Sequence, residues 1–165
     1  RAGRLSRAAA AGLALLAAAA VGAYALGLRP ERRAALSVRD PRGRELAAVD
    51  LPDGRFSHVF DPLLHGREVE ERIELVPGGF RLYELRYESC GVGMPADAEG
   101  GYRLEDGVFV LDMDRRFKKI PIMVSVLPGH GIIAGDAYLP FRNWARPEDT
   151  LVLQPRTKTT LRFRR

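Results

Sequence analysis

The chain has 165 residues, 46% of them hydrophobic and 28% charged, the make-up of a single globular domain and not of a disordered or low-complexity protein. Its net charge of +5 sits at the ends: residues 1–33 hold six arginines against one glutamate, the last ten residues hold five basic side chains and no acid, and residues 34–155 carry −5. An acidic body between two basic ends excludes a nucleic-acid surface, which needs basic residues gathered on one folded face, and a single cysteine excludes an intrachain disulfide.

Residues 8–28 (AAAAGLALLAAAAVGAYALGL) form a run of 21 residues without a charge. As a helix rising about 1.5 Å per residue it would span roughly 30 Å, the thickness of a bilayer core. Three arginines precede it (Arg1, Arg4, Arg7) and three follow (Arg29, Arg32, Arg33). Its length points to an uncleaved membrane anchor. The alternative is a signal peptide cleaved after the small-x-small site Ala23-Tyr24-Ala25. Residues 1–33 are therefore read as an anchor or signal segment, and residues 34–165 as a soluble domain held outside the cytoplasm.

From residue 35 onward, short β-type runs alternate with turn signals: Asp40-Pro41-Arg42-Gly43, Pro52-Asp53-Gly54, Pro77-Gly78-Gly79, Asp106-Gly107, Pro128-Gly129-His130-Gly131 and Gly135-Asp136. No stretch keeps helical periodicity for three turns, although 142–149 has room for one turn. The pattern predicts an all-β domain, a single β-sandwich or partly open barrel of about 8–11 short, mostly antiparallel strands after one hydrophobic helix. The basic tail 157–165 alternates like an edge strand.

Alternation also fixes which side chains share a face. His58 shares one with Phe56 and Phe60, and Glu71 shares one with Val69, Ile73 and Leu75. A carboxylate on an apolar face is costly unless it is paired, so Glu71 is a candidate for ligand binding or proton handling as well as for a structural contact. Between Leu82 and Leu85 the inward parity switches, the signature of a β-bulge at Tyr83-Glu84.

Ser89-Cys90-Gly91-Val92-Gly93-Met94-Pro95 places two glycines beside the cysteine and before a proline. It does not continue as a dinucleotide fingerprint, and it lacks a phosphate loop's lysine. It reads as a tight reversal whose Cys90, Gly91, Gly93 and Pro95 could touch a ligand or partner. His58, His65 and His130 lack zinc-type spacing, and Asp112 with Asp114 lacks further oxygen ligands nearby, so neither metal nor cofactor is expected.

The stretches VEERIEL (69–75), YESCGVGMP (87–95) and YRLEDGVFVLDMDRRF (102–117) resemble a family known as domain of unknown function 1850. Proteins of that family are often encoded beside TRAP transporters of the TAXI type. The resemblance therefore implies a non-enzymatic accessory domain of a solute-uptake system at the bacterial cell membrane, with the transporter's membrane subunit or its substrate-binding protein as partner. One departure is clear: where the family usually carries a His-Ser pair ahead of its glutamate, this chain has Pro62 and Leu63. A second reading is a small-ligand-binding domain with a pocket lined by Glu71 and the 89–95 loop. A third is a hydrolase-like enzyme using Glu71, which would need a histidine or serine within hydrogen-bonding reach of it.

Overall fold

The computed structural model describes residues 7–25, 28–61, 69–88 and 101–163. They fall into two compact units, Arg1–Arg32 with Lys158–Arg165, and Arg33–Thr157. In the first unit, residues Arg7–Ala25 form a helix, α1. It stops short of the uncharged run's end, because a strand has begun by Leu28. Among the described residues no helix is long and apolar enough to cross a membrane, so the spanning helix expected over 8–28 is not found. Alanine, the main component of this stretch, adds little apolar surface per residue.

Eleven strands follow in the order β1 (Leu28–Arg39), β2 (Glu45–Asp50), β3 (Arg55–Phe60), β4 (Val69–Val76), β5 (Gly79–Tyr87), β6 (Tyr102–Glu105), β7 (Val108–Phe117), β8 (Ile120–Met123), β9 (Gly131–Ala134), β10 (Ala137–Pro140) and β11 (Thr150–Phe163). They make two sheets, one of four strands in the order β2-β1-β11-β8 and one of seven in the order β10-β9-β3-β4-β5-β7-β6. The hairpins β1–β2, β4–β5 and β6–β7 are antiparallel, as are β3–β4, β3–β9, β5–β7, β9–β10 and β8–β11.

Turn chemistry dictates much of this order. Asp106 and Gly107 both adopt positive φ (51° and 86°), the backbone of a two-residue hairpin turn that joins β6 to β7. A register shift between Leu82 and Glu84 leaves Tyr83 without a partner on β7, so the bulge read from the parity switch is present. It lets Leu82 and Leu85, three residues apart, both be buried. The turn expected in 142–149 is a short 3-10 helix at Phe141–Asn143.

One buried cluster draws on both sheets, with Leu36, Val38, Ile122, Leu151 and Leu153 from the smaller and Phe56, Ile73, Phe80, Leu82 and Ile132 from the larger. A second, Val69, Leu85, Tyr87 and Leu111, lies on the larger sheet alone. Residues 150–153 of β11 pair with β8 while β1 lies on the other side, so β11 is an interior strand there; the tail expected to run as an edge begins beyond that stretch, at residue 157. Sheet order is a tertiary property that alternation does not encode.

Candidate functional site

The site grows out of the β3–β4 pairing. Antiparallel register sets His58 opposite Glu71, with Phe56 opposite Ile73 and Phe60 opposite Val69. The face inferred from alternation is thus real, and its two polar members meet: His58 Nδ1 lies 2.8 Å from Glu71 Oε2. The His58 ring is buried, while the Glu71 side chain keeps 30% of its surface exposed. Among the described residues the carboxylate meets a histidine.

On the far side of the ring, His58 Nε2 lies 2.9 Å from the Nε2 of His130, 72 residues along the chain. His130 ends the Pro128-Gly129 turn that leads into β9, and it is held there by local constraints. Gly129 takes φ 79°. At Gly131 a Cβ would stand 2.6 Å from the Leu139 carbonyl oxygen, so only glycine lets β9 and β10 close. Phe141 N–H donates to the His130 carbonyl (3.1 Å), and Leu127 N–H donates to Ser125 Oγ (2.9 Å).

These contacts fix where the protons sit. Ser125 N–H donates to His130 Nδ1 at 2.8 Å, and a backbone amide can only donate. Burial, with a contribution from neighbouring His58, lowers the His130 pKa to about 4, so at neutral pH the ring has one proton, on Nε2. His130 Nε2–H then donates to His58 Nε2, which leaves the His58 proton on Nδ1, donated to Glu71. The result is a directed chain from the Ser125 amide through two neutral imidazoles to a half-exposed carboxylate.

That chain limits the chemistry. A cation on His130 Nε2 would displace the ring's single proton while Nδ1 still accepted from Ser125, leaving an imidazolate. Among the described residues no group of three His, Cys, Asp or Glu side chains is placed to hold a metal ion. The Glu71–His58 pair resembles the acid–histidine half of a hydrolytic triad. Where a nucleophile's hydroxyl would stand, however, there is the ring of His130.

Aromatic rings enclose the pair. Phe141 is fully buried, edge-on to His130 with ring centres 4.8 Å apart, and Phe60 lies 5.1 Å from His58. Beside them opens a cavity of about 370 Å³ bounded by both histidines, Phe60, Asp61, Ile122, Met123 and Leu127. This is the size of a small-molecule site, with apolar walls and a few polar edges.

Of the residues singled out from the sequence, the structure brings His58 and Glu71 together. Of these two, His58 lines the cavity and Glu71 stands behind it. Cys90, Gly91, Gly93 and Pro95, and likewise Pro62, Leu63 and His65, lie outside the described residues. In the sequence His130 stands out as a turn residue without zinc-type spacing, not as a site residue. The glycines on either side of it were the signal that its position is tightly built. Asp112 and Asp114 point to arginines, Asp112 to Arg103 and Asp114 to Arg81, each at 2.7 Å.

No curated protein and no solved structure matches the chain. The model of one family, Domain of unknown function (DUF1850), matches residues 64–141, just under half of the chain, and that stretch includes Glu71 and His130. Over these residues the chain resembles the DUF1850 family.

Proposed function

We infer that the domain binds a small organic molecule in the cavity beside His58 and His130, without transforming it. The observation that carries this reading is the hydrogen-bonded chain Glu71–His58–His130 ending at a cavity of about 370 Å³. Apolar walls suit a ligand with a hydrocarbon or aromatic body, and the histidine pair supplies a rigid polar edge. Occupation of His58 Nε2 by a second imidazole, where an enzyme would present a nucleophile, supports binding over hydrolysis.

The setting rests on resemblance: an accessory domain of a TRAP solute-uptake system of the TAXI type, on the outer side of the bacterial membrane. A core shared by the two sheets supports a sandwich over a barrel.

The test is thermal unfolding against a panel of organic acids, amino acids, sugars and aromatic solutes, on the wild type and on Met123→Trp. Met123 lines the cavity and is 71% exposed, so tryptophan there fills the opening without disturbing the core. A ligand at 100 times its Kd stabilises the fold by about 2.7 kcal/mol. A panel member that raises the wild-type Tm and leaves Met123→Trp unmoved is the expected result. A panel without effect, or equal shifts in both proteins, would contradict it. Co-purification with a TRAP membrane subunit or its binding protein tests the setting separately.

A further inference from the structure

The first compact unit, Arg1–Arg32 with Lys158–Arg165, joins two stretches more than 120 residues apart in sequence. It contains nine basic residues and a single acid, Glu31, for a formal charge of +8, whereas the rest of the chain sums to −3. The strand pairing explains how this charge is gathered. β1 and β11 are neighbours in the smaller sheet, and both run into this unit. There Thr160 Oγ1 lies 3.5 Å from the carbonyl oxygen of Glu31. Arg29 and Arg32 on β1 thus share one ribbon with Lys158 and Arg162 on β11.

The same unit carries α1, which has no charge after Arg7 and ends three residues before β1 begins. Leu13, Leu15, Leu16 and Val21 of this helix are each more than 65% exposed. A basic ribbon alone would suit any polyanion. A basic ribbon tied by two residues to a helix with bare leucines suits a polyanion with an apolar interior beneath it.

We propose that this unit docks on the surface of an anionic bilayer, with the β1–β11 ribbon on the acidic headgroups and the leucines of α1 sunk among the acyl chains. A nucleic acid would neutralise the ribbon and leave the helix bare. The bilayer covers both: the ribbon stays on the headgroups, and the helix, uncharged after Arg7 and with exposed leucines on more than one side, has no polar face to keep in water. The proposal is independent of the cavity beside His58, so either can fail alone.

Co-sedimentation of the full chain with vesicles is the test, comparing pure phosphatidylcholine with a seven-to-three mixture of phosphatidylcholine and phosphatidylglycerol. Strong binding to the mixed vesicles, weak binding to the neutral ones, and release by about 0.5 M salt are expected, because exposed charges are screened at that ionic strength. The Lys158→Ala/Arg162→Ala variant should bind the mixed vesicles roughly 25-fold more weakly, about fivefold per charge removed. A variant that binds like the wild type, or vesicle binding indifferent to lipid charge, overturns the proposal. So does tighter binding to duplex DNA than to mixed vesicles at equal phosphate. Should the variant misfold, as its circular dichroism would reveal, the salt and lipid dependence of the wild type still decides.

Discussion

The two faces of the seven-stranded sheet solve the burial of polar groups in opposite ways. On one, Ser57, Glu70, Arg72, Glu84, Arg86 and Arg103 form a lattice in which the Glu84 carboxylate receives three guanidiniums, from Arg72 at 3.0 Å, Arg86 at 3.2 Å and Arg103 at 2.8 Å. On the other, Glu71, His58 and His130 share two hydrogen bonds, and one formal charge is present. The first face sets its arginines at the water's edge, where screening weakens the exposed pairs, around one buried carboxylate, Glu84, whose charge three guanidiniums together offset. The second keeps its imidazoles neutral among aromatic rings, where a charge would be costly and every donor must find its acceptor. A shared strand backbone thus produces a solvated ion lattice on one side and a proton-ordered polar chain on the other, separated only by the two-residue period of β3 and β4.

The largest expected effect is acid sensitivity from the neutral side. The folded His130 pKa of about 4 lies below its ordinary 6.5. Between those values the unfolded chain takes up a proton that the folded chain refuses. Stability therefore falls as pH drops from about 6.5 to about 4, by a total on the order of 3 kcal/mol, and is flat in this respect below that. Urea unfolding at pH 7 and pH 5 should reveal about 2 kcal/mol of it. His130→Asn, which can still accept from the Ser125 amide, should lose that slope. The lowered carboxylates Asp40, Glu45, Glu105 and Asp114 weaken the fold only at lower pH, so they do not mimic it above about pH 5.

Next comes Glu84→Gln, which strips the charge from a buried acceptor of three arginines. It should cost about 2–3 kcal/mol in urea unfolding at pH 7, and part of that loss should disappear in 1 M salt. Glu71→Gln is the matched change on the other face and the smallest of the three. The amide oxygen can still accept from His58 Nδ1–H, so about 1 kcal/mol is expected, insensitive to salt. Equal costs for the two substitutions, or equal salt responses, would erase the distinction between the faces.

Much of this was legible in the sequence where the physics is local. Turn glycines, the Tyr83 bulge and the shared faces of His58 and Glu71 follow from backbone preference and from alternation within one strand. The pairing of His58 with Glu71 needed the β3–β4 register, and residues 62–68 between those strands carry no signal that sets it. His130 needed more, a contact across 72 residues created by placing β9 beside β3. The meeting of the two basic ends has the same origin, the order of strands in a sheet. The glycine loop around Cys90 lies outside the described residues, and its part in the pocket rests on the sequence alone.

Nitrogen-15 NMR of the imidazole rings at pH 7 decides whether the two histidines are neutral and of opposite tautomer. A proton on Nδ1 and a bare Nε2 are expected for His58, and a bare Nδ1 with a proton on Nε2 for His130. The same tautomer in both rings, or a doubly protonated His130 at that pH, would contradict this assignment.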